Sequence, residues 1–286
     1  MATRVVGVIG GSGLYDLPAL IERREHRIDT AFGVPSDAVM EGRIGATRYL
    51  FLPRHGRGHR LAPHEINYRA NILALKQLGA EQIVSVSAVG SLREDLPPGD
   101  VVIVDQFIDR TRMRPSTFFE GVGVVAHVSF ADPIDPALAT ALEAAAREAG
   151  ARVHRGGTYL CMEGPQFSTR AESRLYQSWG ASVIGMTNVP EAKLAREAQL
   201  PYATLALVTD YDAWRAEEEG VNVADVIAVL NRNVDLARRT LALLATRLPD
   251  PATSPASHAL DHALLTAPTS ITDEARKKLQ YVLPRS

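Results

Sequence analysis

The apolar residues of this chain fall into two kinds of run that alternate along it. Short, nearly continuous runs at 5–9, 83–86, 101–104, 182–185 and 202–208 read as strands buried on both faces. Residues 37–44 and 47–52 read as two more strands, joined into a hairpin near Gly45, and 153–160 as another. The second kind of run has helical spacing. It covers 64–78, opened by Pro63, and the alanine-rich stretch 136–149, stopped by Gly150. Thr169 and Glu172 have capping-box spacing and open a helix that runs to Trp179. Asn188 and Glu191 repeat that spacing, with Pro190 inside the start. From Asn222 onward, Val223, Val226, Ile227, Leu230, Val234, Ala237, Leu241 and Leu244 share one helical face.

Strands alternating with helices place the chain in the α/β class. The hairpin requires antiparallel neighbours, so the expected architecture is a single domain with a central mixed β-sheet flanked by helices. The pattern lapses after Leu248. The catalytic domain is therefore expected over 1–248. A flexible linker rich in Pro, Ala, Ser and Thr should follow over 249–270, then a short helix and tail over 271–286. The apolar end Tyr281-Val282-Leu283 is unusual for a terminus and should dock on something.

Composition narrows the function classes. The 286 residues are 46% hydrophobic, enough for a sizeable core, and the net charge is −2 with acids and bases interspersed. No basic stripe points to nucleic acid. A single cysteine, Cys161, allows no disulfide within one chain, which fits a reducing compartment. The apolar start at 5–9 is too short for a signal peptide, and no run approaches the roughly 20 apolar residues of a membrane span. A soluble, cytoplasmic protein is expected.

Several strand ends carry candidate chemistry. The run 202–208 stops at Asp210 and Asp212, where α/β proteins place their ligand crevices. Carboxylates there either recognise an amino-bearing heterocycle or simply make a turn or helix cap. Gly10-Gly11-Ser12-Gly13 follows the first strand and could present N–H groups to an anion, or be only a tight turn. It matches neither a dinucleotide fingerprint nor a Walker loop. Arg54 and His55 follow another strand and suit phosphate oxygens, with His donating alongside Arg. His59 and His64 lie nearby, but no cysteine or carboxylate cluster joins them and Pro63 breaks the spacing, so no metal is expected. Ser87-Ala88 and Thr187 occupy further strand ends, and Phe167 stands in a constrained turn where it either stacks on a flat base or plugs the core.

Taken in order, Gly10-Gly11-Ser12-Gly13-Leu14, Arg54-His55-Gly56, Asn67-Tyr68-Arg69-Ala70-Asn71, Gly90-Ser91-Leu92-Arg93, Asp105-Gln106-Phe107-Ile108-Asp109-Arg110-Thr111, Glu163-Gly164-Pro165-Gln166-Phe167, Met186-Thr187 and Asp210-Tyr211-Asp212 make the chain resemble the purine nucleoside phosphorylase superfamily over residues 5–245. Within it the likeness is greatest to the branch that cleaves methylthioadenosine. The resemblance implies phosphorolysis of S-methyl-5′-thioadenosine to adenine and 5-methylthioribose 1-phosphate, a step of purine and methionine salvage, with no metal or organic cofactor and inorganic phosphate as co-substrate. It implies a phosphate site of Ser12, Arg54, His55, Ser87, Ala88 and Thr187. Phe167, Ser168 and Met186 would meet base and ribose, and Asp210 and Asp212 the N6/N7 edge, with Asp210 as general acid. Val223, Val226 and Ile227 would line the 5′ pocket, where an apolar lining favours methylthio over hydroxyl. His127 and Val282 would reach across a subunit boundary in a homotrimer or hexamer, with no nucleic-acid or membrane partner. Two departures stand out: Gly185 replaces an Asn found in some relatives, and the linker matches no motif. The rival readings are a phosphorylase for adenosine, inosine, guanosine or methylthioinosine, a hydrolase using water, and a non-catalytic nucleoside-binding protein.

Overall fold

A computed structural model describes residues 4–11, 13–215 and 223–284; for 223–228 and 230 it describes the backbone alone. The described residues form an eleven-stranded mixed sheet covered by helices. Its hub is β5 (Gln82–Ser91), whose first half is fully buried and whose second half is built mostly of small residues. Strand β11 (Tyr202–Tyr211) runs parallel to β5 along nearly its whole length, from Tyr202↔Ile83 to Tyr211↔Ser91. The other edge of β5 is shared. β1 (Val5–Gly10) pairs with residues 82–85, and β10 (Ala181–Gly185) meets Gly90 and Ser91 in the opposite sense. No strand register covers residues 86–89 on that edge among the described residues. The sheet therefore forks at the carboxyl end of β5, and a fork between strand ends is where α/β folds hold ligands.

The remaining strands extend the two arms. β4 (Thr47–Pro53), β3 (Val39–Ile44) and β2 (Ile21–His26) continue beyond β1, while β9 (Thr158–Cys161) and β7 (Gln106–Asp109) continue beyond β10. β6 (Val101–Ile103) joins β11 to β8 (Val153–Arg155). Helices α1 (Tyr68–Gln77), α2 (Pro136–Glu148), α3 (Arg170–Ser178), α4 (Asn188–Glu197), α5 (Val223–Leu244) and α6 (Asp273–Lys278) pack around the sheet. Among the described residues no helix is long and apolar enough to cross a membrane.

The α/β class, the mixed sheet and the hairpin at Gly45 match the expectation, with Ile44 paired to Thr47. Four local differences have physical causes. The helix expected over 64–78 splits into a 3-10 turn (Pro63–Glu65) and α1, because the Asn67 side chain caps α1 by accepting from the Ala70 N–H. The strand expected over 153–160 breaks into β8 and β9 at Gly156 and Gly157, both at positive φ. β2 escapes apolar patterning because it is a charged, largely exposed edge strand. The capping box expected at Asn188 is not made: Glu191 turns to Arg54, and Asn188 to Ser85 and Thr204.

The segment expected as a flexible linker contains three 3-10 turns (Pro251–Thr253, Pro255–His258 and Pro268–Ser270). Ser254 ties it down by donating to Asp135. Leu260, Ala263, Ile271, Ala275, Leu279 and Val282 then pack into the chain's own core. The expected start of α5 at Asn222 lies outside the described residues.

Candidate active site

The fork is filled by Arg54, which follows β4. Its guanidinium is 3% exposed. It donates to both oxygens of Glu191, at 2.8 and 3.0 Å, and to Ser85 Oγ at 2.7 Å. Longer contacts reach the Ile9 and Val86 carbonyls at 3.2 and 3.3 Å. Desolvation opposes its charge, but the Glu191 carboxylate outweighs it and holds the guanidinium firmly protonated. Glu191 also accepts from Tyr202 at 2.8 Å, and Asn188 accepts from Ser85 at 2.9 Å. A buried ion pair is tolerated only when its remaining groups are bonded, and here they are. Nη1 keeps one hydrogen in excess of its single contact, so Arg54 can still address an anion in the fork.

His55 is half-buried, its ring stacked 4.2 Å from that of His59. A carbonyl only accepts, so the 2.9 Å contact to Leu61 O places the proton on Nδ1. Burial is the main force that lowers the His55 pKa to about 4, and the neighbouring Arg54 charge adds to it. The ring is thus neutral near pH 7 and Nε2 is an acceptor. The sequence suggested a donor to phosphate; the structure gives the opposite polarity, one suited to the hydroxyl of hydrogen phosphate.

Ser87, in the second half of β5, and Thr187, two residues past β10 at the start of α4, are both buried; β5 continues to Ser91, so Ser87 does not end its strand as the sequence suggested. Ser87 Oγ lies 3.1 Å from the Tyr159 hydroxyl and 3.3 Å from the Ala88 carbonyl. Arg238 of α5 donates to the Gly13 carbonyl and pins the glycine turn beside the fork. Ser12 itself lies outside the described residues.

Three residues beyond Ser87, roughly 10 Å along an extended strand, Gly90 faces the acids. A Cβ on Gly90 would stand 3.0 Å from Asp210 Oδ1 and 3.4 Å from Asp212 Cβ, so a side chain there would crowd both. The β11 strand runs three residues past its expected end, with a register shift between Val208 and Asp210. Such a bulge re-aims the side chains that follow it. Asp210 Oδ2 is 2.7 Å from the Thr209 hydroxyl. Burial raises the Asp210 pKa, and the Asp212 charge pushes the same way against the Thr209 bond. Asp212 is 7% exposed, and its Oδ2 has no hydrogen-bond partner among the described residues. Trp214 closes the loop behind the pair, donating to the Ser91 carbonyl at 2.8 Å.

Phe167 is 83% exposed. That excludes a core plug, its ordinary alternative. Ser168 beside it is buried against Met162 Sδ. Gly164, at φ +66°, leaves room for Met186, whose Sδ would lie 2.5 Å from a Cβ there. The side chains of Val223, Val226 and Ile227 lie outside the described residues, so the 5′ lining rests on the family resemblance. His127 is exposed, with its N–H bonded to the Ala263 carbonyl. Val282 is 1% exposed, inside the chain's own core. Among the described residues no three His, Cys, Asp or Glu side chains converge as metal ligands would.

Sequence reasoning missed Glu191, Tyr159 and Arg114. Arg114 clasps the Glu163 carboxylate and the Met186 and Val189 carbonyls, holding the Phe167 and Met186 segments together. Glu191 had a usable signal: an arginine directly after the apolar run 49–53 needs a buried acid.

A family model described as the phosphorylase superfamily matches residues 5–246. An S-methyl-5′-thioadenosine phosphorylase of Geobacter sulfurreducens is 52% identical over 280 residues, covering 98% of each chain. The crystal structure of a methylthioadenosine phosphorylase from an antarctic soil metagenomic library is 48% identical. It superposes with a TM-score of 0.94 over 99% of this chain and 100% of that one. A methylthioadenosine phosphorylase of Schistosoma mansoni, in complex with adenine, is 40% identical at a TM-score of 0.79, covering 85% and 91%.

Proposed function

The chain belongs to the phosphorylase superfamily, and from that premise we propose that it cleaves S-methyl-5′-thioadenosine with inorganic phosphate, releasing adenine and 5-methylthioribose 1-phosphate. The observation that carries the substrate reading is the acid pair. Asp210 has a raised pKa, and Asp212 presents a buried oxygen with no partner among the described residues. A purine leaves more readily when N7 is protonated, which a carboxylic acid does only if it keeps its proton near neutral pH. Asp210 is that acid, and Asp212 accepts from the N6 amino group. An O6 in its place would leave two acceptors facing each other, which a site built for one hydrogen-bond pattern rejects strongly.

At the other end, Arg54, Ser87, Thr187, the Ala88 backbone and Ser12 hold phosphate, and the His55 Nε2 takes its hydroxyl hydrogen. The bound anion is nucleophile and electrostatic partner of the oxocarbenium-like ribose at once, so the protein's task is positioning. Phe167 stacks on the base, Ser168 and Met186 border the base and ribose, and Val223, Val226 and Ile227 line the methylthio pocket. No metal or organic cofactor takes part.

Homotrimeric assembly in the cytoplasm, serving purine and methionine salvage, belongs to the same proposal. Exposed Met113, Val125 and Leu265 support a covered face, with His127 near it. The test is a panel of methylthioadenosine, adenosine, inosine and methylthioinosine, each with and without phosphate. Phosphate-dependent release of adenine from methylthioadenosine, well above release of base from the others, is expected. Phosphate-independent cleavage, or a preference for the 6-oxopurines, contradicts it.

A further inference from the structure

Tyr159 is fully buried in β9, its ring edge-on to Phe107 and its hydroxyl 3.1 Å from Ser87 Oγ. That oxygen, buried away from bulk water, thus touches a residue of the fork on β5. Gly185 completes the arrangement. A Cβ at position 185 would fall 1.9 Å from the Tyr159 hydroxyl oxygen and 2.6 Å from Cζ. No side chain fits there while the tyrosine holds its place. The departure noted in the sequence, Gly185 in place of Asn, therefore does not leave a gap: the Tyr159 hydroxyl fills it.

The hydrogen-bond inventory sets the direction of the chain. The Ala88 carbonyl can only accept, so Ser87 is the donor in the contact between them. The phenol hydrogen then has Ser87 Oγ as its acceptor. Ser87 is left with its own hydrogen, held only by the 3.3 Å contact to the Ala88 carbonyl and free to turn toward an anion. Hydrogen bonds in such a series polarise one another, and the last, to a charged acceptor, is the strongest.

We propose that Tyr159 is a positioning residue for the phosphate co-substrate: its hydroxyl donates to Ser87 Oγ and fixes the Ser87 hydroxyl as a donor into the fork, in space that Gly185 keeps open. The proposal rests on the phosphorylase reading above. The test is steady-state kinetics of Tyr159→Phe, Ser87→Ala and the double variant, each with phosphate and methylthioadenosine varied separately and with the melting temperature recorded. Tyr159→Phe keeps the ring and should raise the KM for phosphate about 5–20-fold. Its kcat at saturating phosphate and its KM for methylthioadenosine should stay within about two-fold. In the Ser87→Ala background the same change should lose most of its effect. An unchanged phosphate KM, full additivity with Ser87→Ala, or a uniform loss tracking a lower melting temperature overturns the proposal. Cleavage by the unsubstituted protein that needs no phosphate would overturn the phosphorylase reading instead.

Discussion

Arg54 and Asp212 are both buried ionisable side chains in one crevice, yet they are treated in opposite ways. At the phosphate end Arg54 is clasped by Glu191, Ser85 and two carbonyls, and Ser87 by Tyr159. At the base end Asp212 has an oxygen with no partner among the described residues, and Asp210 is held by little beyond Thr209. The phosphate end is thus part of what stabilises the fold. The proposed base end carries a local cost, a buried oxygen without a partner among the described residues, and the proposed chemistry explains why it is kept. Substitutions at the two ends should therefore separate activity from stability.

The largest effect is expected at the base end. Asp210→Asn should lower kcat about 10²–10⁴-fold, measured as adenine release at saturating phosphate. The raised pKa means that the folded state binds the Asp210 proton more tightly than the unfolded state. Stability is therefore lost as pH rises from the unfolded carboxylate value through the folded one, and the variant should escape that loss. Next comes Glu191→Gln, which leaves the Arg54 charge unmatched. It should cost about 3–5 kcal/mol in denaturant unfolding and raise the KM for phosphate more than that for the nucleoside.

Phe167→Ala should be milder. Loss of one stacked base contact is worth about 1–3 kcal/mol, so the nucleoside KM should rise with the melting temperature nearly unchanged, since the ring is exposed. The smallest effect belongs to His55. Its pKa falls from 6.5 to about 4 on folding, so the unfolded state binds more protons across that window. Stability should drop as pH falls through it, by on the order of 1–2 kcal/mol allowing for partial solvent screening. His55→Gln should lack that part of the acid loss in pH-dependent melting.

The same contrast explains what the sequence disclosed. The apolar runs gave the strands because burial on both faces leaves a periodic mark, and the acids after 202–208 stood out because they end such a run. Charged β2 left no such mark. Glu191 was read as a helix cap because spacing records local partners, whereas its actual partner, Arg54, lies 137 positions away. Tyr159 was invisible for the same reason: a phenol inside a strand reads as core until the space at Gly185 is seen. The polarity of His55 depended on the Leu61 carbonyl, a backbone atom that no side-chain pattern reports.

The most direct test of this division is Asp210→Asn examined twice, for phosphate-dependent turnover of methylthioadenosine and for thermal stability at pH 7. The account predicts turnover reduced at least about 100-fold with a melting temperature equal to or above that of the unsubstituted protein. Retained turnover with a lowered melting temperature would make Asp210 an ordinary structural residue and contradict the account.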